Sequence, residues 1–310
     1  MSRLGLGTSA LGGVFGEVDE GDALRTVEAA FEVGITFFDT APAYGATRSE
    51  QVLGRALRGV PREAYVLTTK VGKTTDASGR DAFDYSTDGI RRSVDASARR
   101  LGVDVLDVVH LHDFEYEGGR HVAAALATGF PTLRQLQEEG RIRAVGAGIY
   151  PIDLWKRVLD EVDLDVALVH NHHSLVDVRA YELLPLAAAR GVALINAAPF
   201  ASGLLTGGRP PAWHPAPAEV HPRFDEAARL AEAAGVPLPR LALAFAHSEP
   251  RLPVTLFGCA HPDVLRRNVA WALDPVDPAL VARVQRVLEP VMNRQWTGGG
   301  ADGAAVGDPA

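Results

Sequence analysis

Short apolar runs alternate with longer amphipathic stretches along most of this chain. The runs Leu4–Gly7, Ile35–Asp39, Tyr65–Lys70, Val105–His112, Ala144–Ala147, Val166–His170, Val192–Ala197 and Val254–Phe257 read as strands. Several are apolar throughout, as strands covered on both faces are. Between them, helical spacing runs over Gly21–Val33, Arg48–Leu57, Thr87–Leu101, Phe130–Glu139, Ile152–Leu159, Ala180–Ala189, Phe224–Ala234 with Leu241–Ala246, and Pro262–Ala272. In Thr87–Leu101 the apolar Ile90, Val94 and Ala98 recur every fourth position and Leu101 closes the stripe, with the arginines mostly off it. Gly34, Gly102, Gly140, Gly191 and Gly235 each follow a helical stretch, where a left-handed cap favours glycine. Strand and helix alternating eight times predict a parallel sheet with right-handed crossovers, closed into a single-domain (β/α)8 barrel over 1–296. Asp113–Val122 and the proline-rich Gly207–Glu219 break the rhythm and are expected as loops on the strand-end face. The Gly/Ala/Asp-rich 297–310 reads as a disordered tail.

Composition narrows the partners. A chain of 310 residues, 47% hydrophobic and 23% charged, suits one large α/β barrel. Its formal net charge of −8 and the absence of any Lys/Arg run longer than a pair argue against nucleic acid. No stretch approaches ~18 apolar residues, so no membrane span is expected. The opening Met1-Ser2-Arg3-Leu4-Gly5 lacks the apolar core of a secretory signal. A lone cysteine, Cys259, excludes an intrachain disulfide, suits a reducing cytoplasm and reads as a small buried hydrophobe.

The candidate chemistry sits at strand ends. Asp39 closes one apolar run, and a proline-stiffened turn then delivers Tyr44. Lys70 ends the next run among β-branched residues, where a half-buried ammonium needs an acid partner. His112 ends the fourth run, and His110, two residues earlier, reads as a hydrogen-bonded core histidine. The C-terminal ends of barrel strands are where active sites lie. The set makes an acid/base device: a neighbouring ammonium is expected to lower the phenol's pKa, an aspartate to keep that ammonium charged, and a histidine to hold the substrate oxygen.

Asp39-x4-Tyr44, Lys70 and the strand-end His112 resemble the catalytic tetrad of the aldo-keto reductase family. The likeness covers nearly the whole chain and is strongest in Phe38–Gly45, Ser49–Leu57, Val66–Gly72, Arg141–Gly146, Ala198–Gly207 and Gly258–Asn268. Further cues resemble the branch that oxidises L-galactose- and L-fucose-type sugars. They are Asp84-Tyr85-Ser86, Leu111-His112-Asp113, Asn171-His172-His173-Ser174-Leu175 and the loop Pro210-Pro211-Ala212-Trp213-His214-Pro215-Ala216. The resemblance implies an NAD(P)-dependent oxidoreductase acting on a sugar or small carbonyl compound. Tyr44 would be its acid/base, tuned by Asp39 and Lys70; His112 would orient the substrate oxygen, and Trp213 and His214 would line the sugar. It also implies that Thr8, Ser9, Asp39, Gly148, His170, Pro199, Phe200, Gly203, Leu204, Gly258 and Asn268 contact the nicotinamide cofactor.

Several positions depart from the family pattern. Gly148-Ile149 and His170 stand where many relatives hold the carboxamide with Ser-Asn and Gln. Ala197 replaces a ring-stacking tyrosine. Ala260 and Val264 replace cations that grip a 2′-phosphate, although Arg266 and Arg267 are close by. These positions favour NAD over NADP. The usual N-terminal hairpin under the barrel is nearly absent, so either the start is late or the barrel is sealed another way.

Three competing readings have cheap discriminators. Gly5-Leu6-Gly7-Thr8-Ser9-Ala10 matches a permissive dinucleotide fingerprint, but a Rossmann unit needs an immediate helix and the next helical pattern starts near Gly21. A metal-dependent barrel hydrolase could gather His110, His112, His170, His172, His173 and Asp39, which would leave Tyr44 and Lys70 without a role. A non-catalytic, cofactor-sensing barrel would show no turnover. No metal is expected.

Overall fold

The computed structural model describes residues 2–294, so the expected tail at 297–310 lies outside the described residues. Eight parallel strands close in sequence order: β1 (Leu4–Gly7), β2 (Phe37–Asp39), β3 (Val66–Val71), β4 (Leu106–His112), β5 (Ile142–Gly148), β6 (Val166–His170), β7 (Ala193–Ala197) and β8 (Val254–Gly258). Their bounds fall within two residues of those the apolar pattern predicts. The shell holds α1 (Glu20–Glu32), α2 (Arg48–Ala56), α3 (Thr87–Leu101), α4 (Phe130–Glu138), α5 (Ile152–Glu161), α6 (Ala180–Arg190), α7 (His221–Ala233), α8 (Leu238–Ser248), α9 (Pro262–Leu273) and α10 (Pro278–Leu288). Ser86 caps α3 by accepting the Gly89 N–H at 3.1 Å, and all five glycines expected to follow helices have positive φ.

Alternation along each strand divides the apolar side chains between two cores. Phe38, Leu67, Val109, Val145, Val169 and Phe257 pack outward under the helices. Phe37, Val108, Val166, Leu168, Ile195, Val254 and Leu256 fill the barrel interior. That interior is tight enough to fix small residues opposite large ones. A Cβ at Gly146 would lie 2.2 Å from the His110 ring, and one at Gly5 2.4 Å from Leu256. Interior side chains therefore seal the lower barrel. The chain start is fastened there by Ser2 N–H to Thr36 Oγ1 (3.1 Å) and by Arg3 to the carbonyls of His247 and Glu249 (3.3 and 3.2 Å).

Two features lie outside the sequence prediction. A hairpin, Lys73–Thr75 with Asp81–Phe83, follows β3. Helix α10 packs on α7 and completes a satellite core with Leu280, Val284 and Leu288. Neither belongs to the eightfold strand–helix rhythm. Cys259 is buried, as expected.

Candidate active site

Strands β2, β3 and β4 bring the predicted tetrad together at one arc of the barrel mouth. Lys70 Nζ lies 2.6 Å from Asp39 Oδ2 and donates to the Thr40 carbonyl at 2.8 Å; the other carboxylate oxygen accepts from Thr68 Oγ1 at 2.7 Å. Lys70 is 1% exposed and Asp39 4%. The ammonium sits 4.7 Å from the centroid of the Tyr44 ring, and the His112 ring stands perpendicular to that phenol at 6.3 Å between centroids. Burial works against the Lys70 charge, but Asp39 and Tyr44 prevail and hold its pKa above the ordinary lysine value. The lysine is therefore a fixed cation, as expected.

The phenol itself departs from expectation. Burial pushes the Tyr44 pKa up and outweighs the opposing Lys70 charge, with Asp39 and Asp113 adding to the rise. The lysine lowers the pKa as predicted, but desolvation of the phenolate is the larger effect. His112 is held neutral by burial, with its pKa pushed down to about 3. His110 is buried against Gly146 and also neutral, its pKa near 4 for the same reason.

A second titratable group, which the sequence offers only as the last residue of Leu111-His112-Asp113, abuts the tetrad. Asp113, in a left-handed conformation at φ 52°, places Oδ1 3.3 Å from His112 Nε2 and Oδ2 2.9 Å from Lys73 Nζ. Lys73 comes from the hairpin, reaches Asp81 at 3.0 Å and lies 4.1 Å from the Tyr116 ring centroid. Tyr85 donates its hydroxyl to the His112 carbonyl at 2.7 Å. The signal for Asp113 was its position directly after His112; Lys73 carried none, because its approach depends on the hairpin.

The residues expected to hold a nicotinamide cofactor lie mainly on the opposite arc, around β7, β8 and β1. They differ in what the structure leaves free. The Thr8 hydroxyl is engaged, donating to the Asp39 carbonyl (2.9 Å) and pairing with Ser49 Oγ (2.7 Å), so Thr8 braces the tetrad from behind. Ser9 borders Gly258, where a Cβ would lie 3.8 Å from the serine hydroxyl and 3.3 Å from the Gly7 carbonyl. The turn after Pro199 and Phe200 is held in left-handed geometry at Ala201, Ser202 and Gly203, where φ reaches 110°, with Leu204 buried beneath. Asn268 on α9 is 4% exposed, and its side chain makes no hydrogen bond among the described residues. Main chain left uncovered by side chains at Gly203 and Gly258, beside a turn of small residues, fits a dinucleotide. On the β5–β6 side, Gly148 lies beside the His112 ring. His170, with its pKa near 4 through burial, stacks on Tyr150 at 5.1 Å.

Trp213 and His214 make contacts with the loops around them. Trp213 is 51% exposed, lies tilted against Phe15 with ring centroids 5.6 Å apart and donates to the Val14 carbonyl, so it ties the β7 loop to the β1 loop. His214 Nδ1 accepts the Ala216 N–H within its own loop. The histidines of the alternative metal reading are dispersed: His172 pairs with Asp177 at 3.1 Å, and His173 stacks on Phe245 at 5.0 Å. No cluster of three or more His, Cys, Asp or Glu among the described residues could hold a metal ion. No helix among them is long and apolar enough to cross a membrane.

Known proteins resemble this chain over most of its length. The family described as "Aldo/keto reductase family" matches residues 3–289. Over 308 residues the chain is 36% identical to an L-galactose dehydrogenase of Arabidopsis thaliana, covering 96% of this chain and 94% of that one. It is 35% identical to a pyridoxal 4-dehydrogenase of Microbacterium luteolum (87% and 89% covered) and 31% identical to a D-threo-aldose 1-dehydrogenase of a Pseudomonas species (91% and 92% covered).

Proposed function

The chain belongs to the aldo/keto reductase family and is an NAD(P)-dependent oxidoreductase, and from that premise we propose that it is an NAD-preferring aldose 1-dehydrogenase. Its substrate on this reading is an L-galactose- or L-fucose-type sugar, oxidised at the anomeric carbon to the lactone. The observation that carries the chemistry is the buried Lys70 ammonium, fixed by Asp39 and set 4.7 Å from the Tyr44 ring.

Ser9, Gly203, Gly258 and Asn268 would hold the nicotinamide cofactor, which would supply the two-electron hydride acceptor. The protein manages the proton. A hemiacetal hydroxyl is more acidic than an ordinary alcohol, so its proton passes to the Tyr44 phenolate as the C1–H bond breaks. Lys70 stabilises that phenolate, and Asp39 keeps the lysine charged and in place. Neutral His112 shares a hydrogen bond with the same substrate oxygen rather than competing for its proton.

NAD preference is supported by where the remaining cations point. Arg266 is held by Glu32 at 2.7 Å and Asp263 at 3.1 Å, and the Arg267 guanidinium lies 4.7 Å from the Trp271 ring centroid. With Ala260 and Val264 uncharged, no cation in this stretch is left unengaged for a 2′-phosphate.

The test is a panel of L- and D-aldoses, pyridoxal-type alcohols and simple aldehydes, assayed with NAD and NADP. Oxidation of an L-galactose- or L-fucose-type sugar with NAD is expected. Efficient reduction of aliphatic or aromatic aldehydes, with no aldose oxidised, would replace this reading with a general aldehyde and ketone reductase.

A further inference from the structure

His112 and Asp113 are neighbours in the chain, yet their side chains meet. Along a strand, successive side chains point to opposite faces. Asp113 escapes that alternation through its left-handed backbone at φ 52°, a conformation uncommon outside glycine that aspartate tolerates. Its N–H still bonds to the Gly148 carbonyl at 3.0 Å. The turn sets Oδ1 3.3 Å from His112 Nε2 and Oδ2 2.9 Å from Lys73 Nζ. Lys73 is held in turn by Asp81 at 3.0 Å and lies over the Tyr116 ring, while Tyr85 donates to the His112 carbonyl. Unfavourable backbone geometry beside a reacting residue calls for a functional reason.

Two observations bear on which ring nitrogen of His112 carries the proton. The ring is neutral through burial, so it has one N–H and one lone pair. The Asp113 carboxylate attracts an N–H at Nε2 and repels a lone pair there. At the other end of the ring, Nδ1 is buried and has no hydrogen-bond partner among the described residues. A proton on Nδ1 would be an orphaned donor, whereas a proton on Nε2 faces an acceptor. Lys73 completes the arrangement, because its charge on Oδ2 keeps Asp113 an anion and aims Oδ1 at the ring.

We propose that Asp113, anchored by Lys73, is a positioning residue that fixes the His112 ring as its Nε2–H tautomer. At 3.3 Å the carboxylate polarises this N–H without capturing it, which leaves the hydrogen for the oxygen on the reacting carbon. The hairpin thus acts on the tetrad through two contacts, from Lys73 to Asp113 and from Asp113 to His112. The contact of His112 with substrate rests on the function proposed above. The tautomer does not, and is read before any substrate is added.

Nitrogen-15 spectra of histidine-labelled wild type, with His112 assigned by its loss in His112→Gln, should show the proton on Nε2. Asp113→Asn should reverse this. Lys73 can only donate, so the amide turns its oxygen to Lys73 and its NH2 to His112, where it calls for a lone pair on Nε2. The proton then moves to Nδ1. The kcat for L-galactose or L-fucose with NAD, and for glyceraldehyde with NADH, should fall about tenfold or more, with the cofactor Kd within about twofold. Adding Lys73→Met frees the amide to present its oxygen to His112. The double variant should return the proton to Nε2 and run about threefold or more faster than Asp113→Asn. A purely structural role predicts the opposite order, since each substitution then adds damage. Should the double variant misfold, the spectra of wild type and Asp113→Asn decide alone. A wild-type proton on Nδ1, an unmoved tautomer in Asp113→Asn, or a double variant slower than Asp113→Asn overturns the proposal. A wild type that reduces glyceraldehyde but oxidises no aldose defeats the sugar reading and leaves the tautomer test standing.

Discussion

The two arcs of the barrel mouth are made of different material. On the β2–β4 arc, long charged side chains are locked into bonds of 2.6–2.9 Å around Asp39, Lys70, Lys73 and Asp113. On the β7–β8–β1 arc, side chains shrink to Gly7, Ser9, Gly203 and Gly258, and left-handed backbone at Ala198, Ala201 and Ser202 shapes the surface. The first arc fixes the position of protons and charge. The second leaves the main chain uncovered, where the proposed function puts the cofactor. The two should therefore fail differently: a lesion in the first should stop turnover while leaving cofactor binding, and a lesion in the second should move cofactor affinity while leaving proton transfer.

The largest break is Tyr44→Phe. Turnover should fall by ~10²–10⁴-fold, the usual contribution of a positioned acid/base, while the nicotinamide Kd stays within about twofold. Retention of more than about a third of wild-type activity, with chemistry limiting the rate, would remove Tyr44 from its role. The same residue sets a pH signature. On the proposed mechanism the phenolate is the active form for oxidation, and burial raises the Tyr44 pKa above the ordinary tyrosine value. Oxidation should therefore climb from neutral pH and still be climbing at pH 9, rather than levelling off on the alkaline side of neutrality. Reduction, which uses the protonated phenol, should show no such climb.

Next in size is the lysine. Lys70→Met strands a buried Asp39 carboxylate, and removing one partner of a buried pair costs on the order of 3–5 kcal/mol. Denaturant unfolding should show that loss. The double variant Asp39→Asn with Lys70→Met should recover much of the stability and none of the activity. A single variant as stable as wild type would mean the pair carries no strain on removal and that Asp39 is readily reprotonated.

The barrel and the tetrad were legible in the sequence because each depends on residue type at a fixed place in a strand. Apolar runs set the eight strands, and Asp39, Lys70 and His112 are titratable residues where such runs stop. What escaped depends on distances between elements. Lys73 reaches Asp113 only because a six-residue hairpin ladder folds back, and its strands are too short and polar to stand out. The direction of the Tyr44 shift depends on burial outweighing one nearby cation, a balance that residue identity does not contain. The partners of the Thr8 hydroxyl, Ser49 and the Asp39 carbonyl, also come from other elements. The contacts of Trp213, expected to line the sugar, are likewise set between loops: its indole N–H bonds to Val14 and its ring meets Phe15.

The smallest expected effect sharpens the other arc. NAD should bind about ten- to hundredfold more tightly than NADP, since losing a charge-assisted phosphate contact costs at most a few kcal/mol. The restraint on Arg266 is a half-exposed ion pair with Glu32. Pairs of that kind are worth about 0–1 kcal/mol. Glu32→Gln should therefore free the guanidinium and tighten NADP by no more than about fivefold, with NAD and the aldose kcat unmoved. Arg266→Ala should leave the Kd of both cofactors within about threefold, because a cation already neutralised by Glu32 and Asp263 has little to give a phosphate. Two results would reverse the assignment of this arc. One is tighter NADP than NAD binding in wild type. The other is an Arg266→Ala variant that loses NADP more than tenfold while keeping NAD, which would show that Arg266 leaves its acidic partners when a 2′-phosphate arrives.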